Sequence, residues 1–359
     1  MNRRIKKLAI PVILGILTAT LMITAAAMEF SVRAIFPENQ RKNGSGFFDL
    51  IVEPGQKQEL LIEINNVGKQ EIVVLVETIT ASTSRNGQIN YTSRGTMDES
   101  LKFSFEDIAK LPADQFTIPA EDSIIVPISL TVPNERFDGA ILGSIRVLRE
   151  ATQEEKDAAG AIVNQYAHVT AVRLVMSENA EDIPANFVLG EITTELVNYR
   201  ASIVAHIINT QPMIIKSASA TASIYEKGSD QIIFQDSVES LDFAPNSVFA
   251  FSFVDREGYG VEAGDYTAVI EVKYGEQTWN FEEDFTIEPQ AAEEVNEGAV
   301  NQQGQRRPAE EEGSSGMPIW AVVAIAVGAA VLAAIVFLII IVMRKKPQPK
   351  DAAPTPEDD

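Results

Sequence analysis

The chain has 359 residues, a formal net charge of −22 and no cysteine. So large an acidic excess excludes nucleic acid as a partner, because the phosphate backbone would repel the protein. Without cysteine the protein forms no disulfides, so it must be stabilised by hydrophobic cores.

The N-terminus has the pattern of a secretory signal peptide. Basic residues within positions 3–7 precede the apolar run 8–23, and the small residues Ala25, Ala26 and Ala27 then offer a cleavage site. The pattern predicts a signal peptide over residues 1–27, with an uncleaved membrane anchor as the alternative. Export without disulfides indicates a Gram-positive surface.

The region 28–178 is predicted to fold as a β-sandwich. Apolar and polar residues alternate at 58–65 and at 123–132, as expected of strands with one buried face. Pro127 lies within the second run and cannot donate a ladder hydrogen bond. It therefore predicts an edge strand or a bulge.

Two turns and a connecting segment complete this region. Residues 65–68 predict a tight turn, and Arg85-Asn86-Gly87-Gln88 predicts a type I′ hairpin, in which both central residues need positive φ. The segment 152–160, rich in Glu, Lys and Ala, is interpreted as a short helix or an exposed loop. The strand 162–176 is expected to pair with 141–149.

The region 183–289 predicts a second sandwich. Seven short strands at regular spacing are typical of an immunoglobulin-like fold. These strands are expected at 191–197, 201–209, 214–225, 231–238, 248–254, 266–274 and 278–287. Tyr266, which follows Gly264-Asp265, also predicts a tyrosine corner. The predicted fold class is therefore all-β, with two immunoglobulin-like β-sandwich domains.

The C-terminal part predicts a tether, a membrane helix and a tail. Residues 290–316 are acidic and polar, with almost nothing to bury, and predict a disordered tether. The apolar run 318–343 is long enough to cross a bilayer and predicts a transmembrane helix over 317–343. The basic residues that follow place the tail, 344–359, in the cytoplasm. We therefore expect a single-pass protein of the cell membrane, with its ectodomain in the cell-wall zone.

The sequence offers no catalytic, cofactor-binding or metal-binding residues. The two histidines, His168 and His206, lack metal-ligand spacing, and each is interpreted as a strand residue with a satisfied hydrogen bond. No nucleophile elbow occurs in a structured segment. The 51 acidic residues are enough to supply two catalytic carboxylates, so a peptidoglycan-modifying hydrolase stays open as an alternative, as does a calcium site in the loops.

Several short motifs, in their order, resemble a family of bacterial surface proteins. In the first region they are Phe30-Ser31-Val32, Pro37-Glu38-Asn39-Gln40, Phe48-Asp49-Leu50, Pro54-Gly55-Gln56, Asn65-Asn66 and the run from Phe137 to Gly143. In the second they are Asn209-Thr210-Gln211-Pro212, Ala244-Pro245-Asn246-Ser247, Gly264-Asp265-Tyr266, Trp279-Asn280-Phe281 and Phe285-Thr286-Ile287. Together with the signal peptide, tether and anchor, they resemble the WxL-interacting proteins of low-GC Gram-positive bacteria. The chain departs from the family pattern at Ser144, where a second glycine is expected, and after Asn198, where a glycine is missing.

The resemblance implies a non-enzymatic surface protein without a cofactor. A peptidoglycan-binding domain is expected to precede a host-binding domain, and the implied partners are peptidoglycan, WxL-domain surface proteins and host extracellular-matrix proteins. A chaperone-like subunit that acts by strand addition stays open as an alternative, compatible with the edge at Pro127.

The resemblance assigns no ligand-binding residue. The aromatic residues of the motifs are interpreted as core side chains; they are Phe48, Phe137, Tyr266, Trp279 and Phe281. The motif Pro37-Glu38-Asn39-Gln40 carries polar side chains that suit a glycan, but it is interpreted as a plain turn.

Overall fold

The computed structural model describes residues 30–42, 46–159, 165–180, 182–254 and 260–300. The strands of the first part are β1 (Phe30–Ile35), β2 (Phe48–Ile51), β3 (Lys57–Asn66), β4 (Ile72–Thr80), β5 (Ser82–Thr83), β6 (Ile89–Asn90), β7 (Ala109–Lys110), β8 (Gln115–Ile118), β9 (Ser123–Thr131), β10 (Ala140–Arg149) and β11 (Ala167–Val175). Those of the second part are β12 (Phe187–Val197), β13 (Arg200–Asn209), β14 (Ile215–Glu226), β15 (Ile232–Phe243), β16 (Ser247–Val254), β17 (Gly264–Tyr274) and β18 (Gln277–Ile287). The helices are α1 (Phe105–Ile108), α2 (Gln153–Ala159) and α3 (Pro289–Glu297). The all-β prediction is confirmed, and both sandwiches belong to one compact unit.

The first sandwich combines a four-stranded and a five-stranded sheet. Their strand orders are β1-β3-β9-β7 and β2-β11-β10-β4-β8. The predicted pairing of 141–149 with 162–176 is confirmed by β10 and β11, where Ile141 lies opposite Leu174. The short helix expected at 152–160 is present as α2.

Alternation along β3 and β9 forms one wall of the first core. Leu60 pairs with Ile128 and Ile62 with Val126, and all four side chains are fully buried. Because strand side chains point alternately to opposite faces, each of these residues contributes to the same core.

Pro127 lies on β9, a strand whose outer side is largely unpaired. Among the described residues, β7 alone pairs with the outer side of β9, and only at Leu130 and Ser129. The rest of β9, including Pro127, is an open edge, so the missing N–H disrupts no ladder there. The predicted edge strand is confirmed.

The second sandwich contains all seven predicted strands. Its sheets have the orders β12-β13-β16 and β15-β14-β17-β18. Three alternate phenylalanines of β16, Phe249, Phe251 and Phe253, are fully buried in its core. The Tyr266 hydroxyl donates to the Glu262 carbonyl at 2.9 Å, which confirms the tyrosine corner.

The hairpin at Arg85-Asn86-Gly87-Gln88 is present, but its predicted turn type is wrong. Only Gly87 has positive φ, at 72°, and its N–H donates to the Ser84 carbonyl at 2.9 Å. This is a type I turn followed by a left-handed glycine, the usual form of a three-residue hairpin loop. A type I′ turn instead joins β12 to β13, where Asn198 and Tyr199 have φ of 50° and 62°.

The predicted tether, 290–316, is wrong over its first residues. The helix α3 packs Ala292 and Val295 against the second core. The Asn296 side chain accepts from the Val261 N–H and donates to its carbonyl, both at 2.8 Å. The polar composition of this segment did not predict a helix. A few small apolar side chains on one face of α3 are enough to pack it against the core.

The remainder of the tether, the signal peptide 1–27, the membrane helix 317–343 and the tail 344–359 lie outside the described residues. No helix in the part of the chain that the structure describes is both long and apolar enough to cross a membrane.

Candidate functional site at the seam between the sandwiches

The two sandwiches meet along a contact that we call the seam. On the first sandwich it is formed by the hairpin of β5 and β6 and by the loop 95–101. At its centre the hydroxyls of Thr83 and Ser247 lie 2.6 Å apart and are buried. Thr83 Oγ1 also accepts the Ala244 N–H at 3.0 Å. Ala81, Leu142 and Ala244 form a small apolar cluster beside these bonds.

A second strip of the seam is made by backbone groups. The Ala140 N–H donates to the Pro212 carbonyl at 2.7 Å. Gly139 has φ of 74°, and a Cβ placed on it would lie 1.9 Å from the Pro212 oxygen. Only glycine fits this approach, since both the conformation and the space exclude a side chain.

The turn before β16 completes the seam. The Asp98 N–H donates to the Asn246 carbonyl at 3.0 Å, and Asn246 Nδ2 donates to Ser100 Oγ at 2.9 Å. The buried Asn209 amide holds the neighbouring turn by donating to the Met213 and Ala244 carbonyls. These side chains satisfy buried backbone groups, so the contact between the sandwiches is fixed by directional bonds.

A cleft of 760 Å³ opens on the seam. The sequence motifs of both regions meet in it: the segment that begins at Phe137 forms one wall, and Gln211, Pro212 and Asn246 form the other. Phe103 and Phe137 line its apolar part, with ring centroids 6.3 Å apart. Many motif residues therefore build the seam.

The described carboxylates with lowered pKa do not suit a glycosidase acid. A hydrogen bond from Arg149 lowers the pKa of Glu155, and one from Thr267 lowers the pKa of Asp284. A general acid needs a raised pKa. Within the described ranges, no group of three His, Asp or Glu side chains is placed to hold a metal ion.

The motif Pro37-Glu38-Asn39-Gln40 forms a turn, as interpreted. Asn39 Nδ2 donates to the Ile51 carbonyl at 2.8 Å, and Gln40 Nε2 donates to the Phe47 carbonyl at 3.1 Å. Both side-chain amides therefore donate to backbone carbonyls within this part of the fold. They border a polar groove of 790 Å³.

The histidines and the motif aromatics lie where they were expected. His168 contacts the Phe30 carbonyl at 3.3 Å, and His206 contacts the Glu191 carbonyl at 2.8 Å, so both are satisfied strand residues. Of the aromatics, Phe48 and Tyr266 are buried. The other three, Phe137, Trp279 and Phe281, are partly buried and pack against the cores.

Two family models match the chain, one after the other. The model described as the WxL Interacting Protein peptidoglycan binding domain matches residues 30–149. The model described as the WxL Interacting Protein host binding domain matches residues 157–297. The chain belongs to the WxL-interacting protein family. The expected family and the expected order of its two domains are confirmed.

The solved structures similar to this WxL-interacting protein add no argument about function. One is a PapD-like domain of human CEP192, 12% identical over 44% of this chain and 92% of that one, with a TM-score of 0.28. Others are the E. coli chaperone DraB, 13% identical over 72% and 98% with a TM-score of 0.27, and the CsuC-CsuE chaperone-tip adhesion subunit complex of Acinetobacter baumannii, 11% identical over 62% and 89% with a TM-score of 0.29. No curated protein sequence matches the chain.

The seam itself was missed by sequence reasoning. The β5–β6 hairpin belongs to the first sandwich in sequence, but Gly87 contacts Leu241 of the second so closely that a Cβ would lie 2.1 Å from its side chain. The strand β11 lies within the host-binding match, yet it pairs with β10 and β2 of the first sandwich. The two domains of the WxL-interacting protein are therefore structurally interlocked.

Proposed function

We propose that this WxL-interacting protein is a non-enzymatic scaffold of the cell surface. Its first domain binds peptidoglycan, its second domain binds host or extracellular-matrix proteins, and the whole holds WxL-domain proteins at the wall. The observation that carries the proposal is the presence of both family domains in one chain, joined by the buried seam around Thr83 and Ser247.

The seam supports a scaffold role because it couples the two domains mechanically. Backbone and side-chain hydrogen bonds cross it at several places, among them Thr83, Ala140 and Asn246. A load on the host-facing domain is then transmitted to the wall-binding domain through buried bonds rather than through a flexible linker.

The proposal includes anchoring in the cell membrane. The apolar run 318–343 followed by basic residues supports a single-pass helix with a cytoplasmic tail. The test is cell fractionation of the full chain beside a variant that ends at residue 316. We expect the full chain in the membrane fraction and the shortened chain in the medium; release of both would contradict anchoring.

Binding and catalysis are separated by one experiment. The fragment 28–300 is mixed with insoluble peptidoglycan sacculi, and both sedimentation of protein and release of soluble muropeptides are measured. We expect sedimentation without release. Release would favour a peptidoglycan-modifying hydrolase, and an absence of sedimentation would contradict wall binding.

One observation favours strand addition as a second candidate function. Ile125 on the open edge of β9 is 56% exposed, and an exposed apolar edge suits an added strand. Pro127 on the same edge removes one donor. If a WxL-domain partner adds a strand here, Ile125→Lys abolishes its capture and leaves sedimentation with sacculi intact; unchanged capture would reject this route.

A further inference from the structure

A second pocket, of 440 Å³, lies on the seam. We call it the tyrosine pocket. The first sandwich contributes Phe47, Tyr91 and Arg173, and the second contributes Lys216 and Tyr274. Since its walls come from both domains, the pocket exists only when the seam is formed.

Three polar groups in the tyrosine pocket are unused by the protein. The hydroxyls of Tyr91 and Tyr274 and the ammonium group of Lys216 form no hydrogen bond or ion pair with any residue of the described ranges. Tyr91 is nevertheless held in place, because its carbonyl accepts the Ser144 hydroxyl at 2.7 Å. Burial raises the pKa of Tyr91, and its hydroxyl can donate a hydrogen bond to a ligand.

Among the residues that the structure describes, the lining of the tyrosine pocket carries two cationic side chains, Arg173 and Lys216, and no carboxylate. Arg173 lies 3.8 Å from the buried Asp49 carboxylate, which balances its charge. Lys216 adds an exposed positive charge on the opposite wall. One carboxylate lies nearby: Asp242 accepts the Ser217 N–H at 3.0 Å, and its charge contributes to the raised pKa of Tyr91. The Lys216 ammonium group attracts an anion, and the aromatic faces supply apolar contact.

We propose that the tyrosine pocket binds the carboxylate-bearing stem peptide of a peptidoglycan fragment. Lys216 and the Tyr274 hydroxyl contact the carboxylate. The rings of Tyr91 and Phe47 cover the apolar part of the peptide. The volume lies within the range of small-ligand sites. This inference rests on the proposed wall binding and extends it from the first domain to the seam, where Lys216 and Tyr274 of the second domain take part.

The test measures binding of a purified disaccharide-tetrapeptide muropeptide to the fragment 28–300 by calorimetry. A neutral N-acetylglucosamine oligomer and the free tetrapeptide are run beside it. We expect binding of the muropeptide and of the tetrapeptide, weakening as salt is raised, and no binding of the neutral oligomer. Binding of the neutral oligomer as tightly as the muropeptide would overturn the proposal.

Two variants locate the site. Lys216→Gln removes a charged hydrogen bond and is expected to weaken muropeptide binding about tenfold, and Tyr274→Phe about threefold. The matched control is Lys69→Gln, since Lys69 is exposed in the turn between β3 and β4 and lines no described pocket. Equal losses of affinity in Lys216→Gln and Lys69→Gln would overturn the proposal, because the loss would then come from the change in the protein's net charge and not from a contact in the tyrosine pocket.

The failure of this proposal is distinguishable from failure of wall binding. If the fragment sediments with sacculi but the muropeptide does not bind, or binds the Lys216→Gln variant unchanged, the tyrosine pocket is rejected and wall binding stands. If neither sacculi nor muropeptide bind, both are rejected.

Discussion

The side chains of Thr83 and Ser247 are hydrogen-bonded at 2.6 Å across the boundary between the two sandwiches. Their hydroxyls are 164 residues apart in the chain and buried from solvent. Thr83 also accepts the Ala244 N–H, so one small side chain satisfies two groups of the other domain.

We expect Thr83→Val to destabilise the protein by about 1–3 kcal/mol. The substitution leaves the buried Ala244 N–H without its partner, and the Ser247 hydroxyl keeps only its bond to the Ala244 carbonyl. Urea unfolding of the fragment 28–300 measures the loss. Thr117→Val, at an exposed position of β8, is the control and is expected to change stability by less than ~0.5 kcal/mol; equal effects would show that the seam bond contributes nothing.

Gly139→Ala tests the close approach at Pro212. Gly228 has nearly the same φ, 77° against 74°, but has nothing within 4 Å of an added Cβ. Gly228→Ala is therefore expected to lower the free energy of unfolding by about 1–2 kcal/mol, because alanine disfavours the left-handed conformation. Gly139→Ala adds a clash with backbone and is expected to cost at least ~2 kcal/mol more. Matching unfolding midpoints for the two variants would contradict the fitted seam.

The tyrosine corner gives a stability effect that depends on pH. Tyr266→Phe removes the hydrogen bond to the Glu262 carbonyl and is expected to cost about 1 kcal/mol at pH 8. Burial, followed by the charges of Glu262 and Glu226, raises the pKa of Tyr266 above 10.0. The folded protein thus holds this proton more tightly than the unfolded chain does. The stabilisation that the Tyr266 hydroxyl provides is therefore complete below pH 10.0 and is lost as pH rises through the folded pKa.

Urea unfolding of wild type and Tyr266→Phe at pH 8 and at pH 11 checks this sign. The difference in unfolding free energy is expected to shrink at the higher pH. Tyr225→Phe is the control, because the Tyr225 hydroxyl has no hydrogen bond to a described residue. A difference that grows with pH would refute the assigned direction.

Asn296→Ala tests whether α3 is part of the second domain. The variant leaves the Val261 N–H and carbonyl without their shared partner and is expected to cost about 1–3 kcal/mol. Limited proteolysis should then cut within 289–300 faster than in wild type. Glu293→Ala, at an exposed position of the same helix, is the control and should leave the cleavage rate unchanged. Early cleavage of the wild type within α3 would instead support a disordered tether over these residues.

The sequence could predict the strands because their pattern is local. Alternation in β3 and β9 requires only that every second side chain be apolar, and the core face follows from it. The tyrosine corner is equally local, since Tyr266 bonds a carbonyl four residues upstream. The motifs likewise identified the family, because their order along the chain is a property of the sequence.

The tertiary structure decided what depends on distant contacts. The turn at Gly87 is a type I turn because the hairpin docks on the second sandwich, where the Gly87 carbonyl accepts the Asp242 N–H at 2.8 Å. The polar segment after residue 289 is a helix because Val261 and the second core were available to hold it. The seam and the tyrosine pocket join residues that are distant in the chain, such as Thr83 and Ser247, 164 positions apart. No local pattern records such a meeting, since it arises only when two finished sandwiches bury their facing groups together.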